Sequence, residues 1–187
     1  MSVSFRRRLG AMLAGREPVP EGFGGTLATG ERVVADAAAP GGFVVLATDR
    51  GLWLDDHRVP WHLVAKATWQ AGALEVVEST EETADGELPG GVVVLADRPL
   101  RRLPLVDPGR VPETVHRRVT GSIRSRDHVE VPSGGGVWFV QRRVGSRVVT
   151  QVRPDPGTDP DAVRALARGV GEKLAAAAAA AAAAQRQ

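Results

Sequence analysis

Residues 43–69 read FVVLATDRGLWLDDHRVPWHLVAKATW. Three apolar segments, rich in Val, Leu and Trp, lie within this stretch at 43–48, 52–54 and 59–69. Between them stand Asp49-Arg50-Gly51 and Asp55-Asp56, which are residue types that favour turns because Gly adopts a positive φ and Asp bonds to nearby backbone. Strand-length runs separated by such turns predict consecutive antiparallel strands.

The same pattern continues on both sides of this stretch. Further strand-like segments lie at 31–38, 74–77, 92–96 and 100–106. Turns between them are predicted at Pro40-Gly41-Gly42 and Pro89-Gly90-Gly91. Short strands at this spacing predict an antiparallel, strongly bent β-barrel or sandwich.

Helical patterns and a hairpin follow. Pro112 can begin a helix, because the first turn does not need its missing N–H. A helix at 112–124 is expected from the four-residue spacing of Val111, Val115, Val119 and Ile123. Strands are expected at 129–131, 137–144 and 147–153, and Asp159-Pro160 resembles the N-cap and first residue of a last helix. The predicted fold class is therefore α+β.

These patterns divide the chain into four segments. Residues 4–14 form an amphipathic pattern, and a Gly/Pro-rich linker follows it. We therefore expect an N-terminal helix and linker at 1–29, a barrel with its capping helix at 30–125, an appended hairpin and helix at 126–174, and a polyalanine tail at 175–187.

The composition limits the chemistry. The chain has no cysteine and no tyrosine, which excludes disulfides, zinc–thiolate sites and thiol nucleophiles. All basic residues except Lys66 and Lys173 are arginines, as GC-rich bacterial coding sequence would give. No apolar segment is long enough to span a membrane, and the N-terminus lacks the apolar region of a secretory signal. A cytoplasmic protein is therefore expected.

Charge is segregated along the sequence. Seven acids and no base lie between Glu75 and Asp97, whereas Arg98 to Arg153 contains twelve arginines against four acids. Such a basic block indicates an anionic partner such as nucleic acid, or else two segments that neutralise each other in the fold. The candidate patch for an anionic partner consists of Arg101, Arg102, Arg117, Arg118, Arg124, Arg126, Arg142 and Arg143.

Two other sets of residues have a functional and a structural interpretation. Trp53, Trp61, Trp69 and Trp138 would stack bases in a single-strand-binding barrel, but their apolar neighbours favour core packing. The N-terminal helix would lie on an anionic membrane, or else dock on the core or on a partner. The membrane-surface candidates are Phe5, Arg6, Arg7, Arg8, Leu9, Met12 and Leu13.

Catalytic and cofactor motifs fail on their chemistry. Gly25 and Gly30 have P-loop spacing, but Glu31 stands where a phosphate-binding Lys is required. No Gly-x-Ser-x-Gly motif occurs. A local cluster of possible metal ligands, Asp55, Asp56, His57 and His62, is better explained as a polar hairpin turn followed by a surface His. We therefore expect no catalytic residue, no metal, no cofactor and no small-molecule substrate.

Two stretches carry a family resemblance. VLATDRGLWL at 45–54 and RVPWHLV at 58–64 resemble bacterial pleckstrin-homology-like (PH-like) and GRAM-like domains. DPGRVPETV at 107–115 and RVTGSI at 118–123, with residues 136–143, resemble a family of high-GC bacteria to which no activity is attached. Together the resemblances cover most of residues 30–170.

The resemblance implies a seven-strand, strongly bent barrel capped by the helix at 112–124, and a binding or scaffolding role without catalysis. The turn Pro40-Gly41-Gly42 has no basic residue, so inositol-phosphate binding in the first hairpin is not expected. The leading hypothesis is a non-enzymatic module that binds a protein partner or itself. The alternatives are nucleic-acid binding through the arginine-rich residues 98–153 and attachment to an anionic membrane through the N-terminal helix.

Overall fold

The computed structural model of the protein describes residues 18–82, 86–132 and 134–186. The proposed N-terminal helix, with its membrane-surface candidates from Phe5 to Leu13, lies outside the described residues.

The fold is α+β, as predicted. Its strands are β1 (Val33–Ala38), β2 (Val44–Thr48), β3 (Gly51–Leu54), β4 (His57–Pro60), β5 (Val64–Gln70), β6 (Ala73–Glu81), β7 (Val92–Asp97), β8 (Arg101–Pro104), β9 (Ile123–Glu130), β10 (Gly136–Val144) and β11 (Arg147–Pro154). Its described α-helices are α1 (Val111–Gly121) and α2 (Pro160–Ala184). Neither of these two helices is both long enough and apolar enough to cross a membrane.

The chain forms two compact units. As far as it is described, unit 1 contains the residues up to Glu78 and Pro99–Gly121, and unit 2 contains Ser79–Arg98 and Ser122–Gln187. Residues 79–98, which the sequence pattern groups with the barrel strands, thus belong to unit 2. The chain passes from unit 1 to unit 2 within β6, returns to unit 1 between Arg98 and Pro99, and enters unit 2 again directly after α1.

Unit 1 contains two antiparallel sheets. One has the strand order β1-β2-β3-β4, and in the other the first part of β6 pairs with β5 on one side and β8 on the other. The buried core of unit 1 includes Val45 and Leu52 from the first sheet, Val76 from the second and Val115 from α1. Both sheets and the helix therefore enclose one apolar core.

The sequence predicted one long strand at 59–69, but the structure has two strands there, β4 and β5, separated by a turn. β4 ends at Pro60, whose φ of −55° and missing N–H do not suit a continuing ladder. A single 3-10 turn, Trp61–Leu63, follows before β5 begins at Val64. The indole N–H of Trp61 donates to the Thr48 carbonyl at 3.0 Å, which ties this turn to β2.

Helix α1 is shorter than the predicted 112–124. Val111, Val115 and Val119 form its buried stripe as expected, but the helix ends at Gly121. Ile123 begins β9 and pairs with Arg142. Glycine is a poor helix former, which explains why α1 ends at Gly121. Ile123 continues the four-residue spacing of the helix in the sequence, but its β-branched side chain also fits a strand, and it begins β9.

Unit 2 contains a sheet in the order β7-β11-β10-β9, with the end of β6 pairing with β7. The sequence predicted an antiparallel meander, but β7 and β11 are parallel, with Gln151 opposite Val93. The strand predicted at 129–131 is the end of the longer β9. One face of this sheet packs against α2, where Val94, Val137 and Val152 meet Val163 and Ala167.

Helix α2 begins as its sequence predicts. The Asp159 carboxylate accepts a 3.1 Å hydrogen bond from the Asp161 N–H, and Pro160 follows as the first helical residue. The helix continues through the polyalanine segment to Ala184, and the side chains at 175–184 are exposed. Close packing in unit 2 therefore involves the first part of α2.

Candidate functional site

The eight arginines of the predicted patch are divided equally between the two units. Unit 1 carries Arg101 and Arg102 on β8, with Arg117 and Arg118 on α1. Unit 2 carries Arg124 and Arg126 on β9, with Arg142 and Arg143 on β10.

Acidic and basic segments meet directly within unit 1. Arg101 forms an ion pair with Glu78 at 3.0 Å, and Arg102 forms one with Glu75 at 2.6 Å. The pairs arise because β8 lies antiparallel beside β6, with Arg102 opposite Glu75 in the register. Glu78 is also 3.4 Å from His57. Both arginines are therefore paired with acids of the same unit. This agrees with the interpretation that the acidic and basic segments neutralise each other.

A similar pairing occurs in unit 2. Arg153 donates to the Asp97 carboxylate at 2.5 Å and to the Ser79 hydroxyl at 3.1 Å. Arg142 is only 1% exposed, so its guanidinium is not presented to solvent. Desolvation by burial, reinforced by the charge of Arg153 and opposed by Asp97, lowers the pKa of Arg142 to about 10.

The other members of the patch are accessible to different degrees. Arg117, Arg124, Arg126 and Arg143 are exposed, and Arg118 is half-buried. None of these five forms an ion pair with another described residue. Three of them, Arg124, Arg126 and Arg143, lie in unit 2.

The four tryptophans have two different environments. Trp53 and Trp61 are buried, so the prediction of core packing is confirmed for them. The same prediction is wrong for Trp69 and Trp138, which are 40% and 38% exposed. Apolar sequence neighbours do not guarantee burial, because successive side chains on a strand point to opposite faces.

Trp138 stands among polar groups on the sheet of unit 2. Its ring centroid is 4.7 Å from that of His128, which is directly opposite on β9. The guanidinium carbon of Arg126 lies 5.9 Å from the indole centroid. Nε2 of His128 lies 2.8 Å from the Asp155 carboxylate. We refer to Arg126, His128, Trp138 and Asp155 as the Trp138 cluster.

Gly136 makes room for this cluster. A Cβ atom at Gly136 would overlap the His128 ring and would lie 2.6 Å from the Asp155 carboxylate oxygen. The Thr158 hydroxyl donates to the Gly136 carbonyl at 3.0 Å and accepts from the Gly136 N–H at 3.3 Å. The backbone beneath His128 is thus fixed, and the missing side chain lets the imidazole reach Asp155.

Unit 1 contains a buried carboxylate, Glu31. In the sequence this residue is notable only because it stands where a P-loop requires Lys. Glu31 accepts hydrogen bonds from the Thr48 hydroxyl at 2.7 Å and from the Trp53 indole at 2.9 Å. Its other oxygen accepts from Arg58 at 2.8 Å and from the Ala28 N–H at 3.1 Å. Burial alone would raise the pKa of Glu31, but these bonds outweigh it and hold the pKa below its usual value.

The Glu31 network is a structural one. The Arg58 guanidinium lies 5.7 Å from the Trp53 ring centroid, and Phe23 packs edge-on against the same ring. Trp53, Val33 and Leu46 form a small apolar cluster covered by Phe23 and Leu27. The network therefore holds part of the Gly/Pro-rich linker against the first sheet.

The possible metal ligands near the β3–β4 turn do not assemble. Asp55 lies in the turn with a φ of +67°, and His57 points to Glu78 instead. Within the described residues, no three His, Cys, Asp or Glu side chains gather in a way that could hold a metal ion.

No protein-family model, curated protein or solved structure matches the chain. Two tryptophans are exposed, one in each unit: Trp69 on β5 and Trp138 on β10.

Proposed function

We propose that the chain is a non-catalytic PH-like module that binds a protein partner or a second copy of itself. The topology of unit 1 supports the PH-like part of this proposal. Four strands form one antiparallel sheet, three form another, and a helix that follows the last of these strands packs on the core between them. The number of strands and the position of the helix are the features that support a PH-like fold for unit 1.

The proposed contact surface lies where the sheet of β5, β6 and β8 ends. Trp69 is on β5 just before the turn Ala71-Gly72, and Val106, at 72% exposure, follows β8. The Leu105 N–H donates to the Gly72 carbonyl at 3.2 Å, which brings the two segments to the same end of the sheet. The exposure of Trp69 here is the observation that carries the proposal, because exposed Trp is enriched in protein interfaces.

The charges of β8 and of the first hairpin do not favour an anionic lipid as the ligand of unit 1. Arg101 and Arg102 already have acidic partners, and the turn between β1 and β2, Pro40–Gly42, has no basic residue. A protein surface with an apolar pocket for Trp69 therefore fits unit 1 better than a phosphate-bearing headgroup.

The absence of catalysis is part of the same proposal. His128 and Asp155 form the kind of pair that activates a nucleophile in hydrolases. Among the described residues, no hydrogen bond joins a Ser or Thr hydroxyl to this pair. An acid–base pair without a bound nucleophile does not by itself support acyl transfer.

Site-specific photocrosslinking in the native cell tests the proposal. A benzophenone amino acid is placed at Trp69, at Val106 and, as the matched control, at the neighbouring exposed Thr68, which points to the other face of β5. We expect positions 69 and 106 to give the same discrete adduct, and position 68 to give none. An adduct of two chains would identify self-association. No adduct, or equal adducts at all three positions, would contradict the proposal.

A further inference from the structure

We infer that unit 2 binds single-stranded nucleic acid on the sheet surface formed by the Trp138 cluster. This inference goes beyond the proposed protein-binding function and uses different residues in a different unit. It rests on the charge of strands β9 to β11, on the exposure of Trp138, and on the positions of Arg126 and His128 beside the indole.

Strands β9, β10 and β11 are strongly basic. They contain six arginines and only two acids, Asp127 and Glu130. Arg153 is paired with Asp97 and Arg142 is buried, but Arg124, Arg126, Arg143 and Arg147 are exposed. None of these four exposed arginines forms an ion pair with a described residue. Alternation along β10 places Arg143 on the face of Val137 and Phe139, whereas Arg126, like His128, lies on the Trp138 face. The Trp138 face therefore carries an exposed arginine without a described ion-pair partner beside the indole, and this charge suits a polyanion.

Trp138 lies on the sheet face that α2 does not cover. Its neighbours Val137 and Phe139 contact the apolar cluster beneath α2, and alternation along β10 places Trp138 on the other face. At 38% exposure the indole presents part of its surface to solvent. An aromatic side chain that is exposed at this end of β10, beside Arg126, offers a stacking surface for a base.

The neighbours of Trp138 hold polar groups in place beside the indole. The Arg126 guanidinium lies 5.9 Å from the ring centroid, within the range of a cation–π contact and able to reach a phosphate beside a stacked base. His128 is fixed by its 2.8 Å contact with Asp155. The Asp155 carboxylate contacts His128 and not Arg126, so it does not neutralise the Arg126 guanidinium.

The exposed indole and the arginines together favour single-stranded nucleic acid over other polyanions. Bases in a duplex are stacked on each other, so they cannot lie on the indole without being flipped out. Polyphosphate or an anionic membrane would use the arginines but gain nothing from an aromatic stacking surface. A single strand uses both, because sequence-tolerant stacking and backbone electrostatics together are the usual means of binding it.

Fluorescence anisotropy of the full chain tests the inference. The probes are labelled oligothymidylate and oligouridylate of about 20 nucleotides, a duplex of the same length, and inorganic polyphosphate as competitor. We expect binding of at least one single strand at about 50 mM salt, with affinity falling steeply as salt is raised. The duplex should bind more weakly, and polyphosphate should compete only partly.

Variants separate stacking from charge. Trp138→Ala should weaken single-strand binding by about tenfold or more, and Trp138→Phe should restore most of it. Trp69→Ala is the matched control, since Trp69 is exposed to nearly the same extent but lies in unit 1, and it should leave the affinity unchanged. Arg126→Ala should weaken binding and reduce the salt slope by about 0.7 for each lost phosphate contact.

Three results would overturn the inference. One is no binding of either single strand at low salt by a chain whose circular dichroism and melting transition show it to be folded. Another is equal affinity for duplex and single strand with no loss in Trp138→Ala, which would show non-specific charge attraction only. The third is an equal loss in Trp138→Ala and Trp69→Ala. None of these results bears on adduct formation at Trp69, so the two proposals fail separately.

Discussion

The indole N–H of Trp53 donates a 2.9 Å hydrogen bond to the buried carboxylate of Glu31. Glu31 lies two residues before β1 begins, and Trp53 lies on β3, so the bond joins the segment that leads into β1 to the interior of the first sheet. With Thr48, Arg58 and the Ala28 N–H as further donors, the charge of Glu31 is fully bonded. Removing that charge should therefore have a large effect on unit 1.

The Glu31→Gln variant should be less stable than the wild-type protein by about 2–4 kcal/mol at neutral pH, because an amide nitrogen would face donor groups that now bond to carboxylate oxygens. Chemical unfolding followed by tryptophan fluorescence measures this difference. Glu21→Gln, which changes an exposed carboxylate, is the control and should stay within about 0.5 kcal/mol of wild type. An equal effect of the two substitutions would contradict the role of the Glu31 network.

The contribution of the Glu31 carboxylate to stability should depend on pH. The pKa of Glu31 is lowered in the folded protein, so its contribution to stability is present above the unfolded value near 4.3 and is lost as pH falls toward the folded pKa. The stability difference between wild type and Glu31→Gln should accordingly be largest above about pH 5 and shrink below about pH 4. A difference that stays constant from neutral to acidic pH would contradict this assignment.

Gly25 is closely packed and its neighbour Gly24 is not, so alanine should destabilise the protein at position 25 and not at position 24. A Cβ atom at Gly25 would lie 2.7 Å from both the Phe23 and Trp53 rings, whereas one at Gly24 would approach no atom closer than 3.6 Å. Gly25→Ala should cost about 1–3 kcal/mol by forcing the linker away from Trp53. Gly24→Ala should be nearly neutral. Near-ultraviolet circular dichroism, to which Trp53 contributes with the other tryptophans, should change only in the first variant.

Two glycines of α2 should respond in opposite directions. A Cβ atom at Gly171 would overlap the Pro89 carbonyl oxygen, but one at Gly169 would meet no atom. Gly171→Ala should therefore destabilise unit 2 by about 1–3 kcal/mol. Gly169→Ala should stabilise it by about 0.5–1 kcal/mol through helix propensity. Thermal melting checks both, and a stabilised Gly171→Ala would show that α2 does not pack against Pro89.

Much of the strand pattern could be predicted from the sequence, because turn residues and alternating Val and Leu are local signals. The segments at 43–48 and 52–54 correspond to β2 and β3 within a residue. The parallel pairing of β7 with β11 could not be predicted in this way, because Val93 and Gln151 are far apart in sequence. The end of α1 was missed because Ile123 fits both a helical and a strand pattern.

The candidate sites were predictable only in part. Arg126 belongs to the basic patch that charge segregation indicates, but its position beside Trp138 depends on the register of β9 and β10. His128 gives no signal in the sequence, since its partner Asp155 is 27 residues away. The ion pairs of Arg101 and Arg102 likewise depend on the pairing of β8 with β6. Composition thus reveals the charge, while strand pairing decides which charges stay exposed.

The central claim is that Trp69 and Val106 form one protein-binding surface in unit 1. The most direct test is the adduct yield from the benzophenone at position 106 in two backgrounds, Trp69→Ala and Trp138→Ala, which remove equally exposed tryptophans from different units. We predict that Trp69→Ala abolishes the adduct and that Trp138→Ala leaves its yield unchanged. Equal yields in the two backgrounds would contradict the claim.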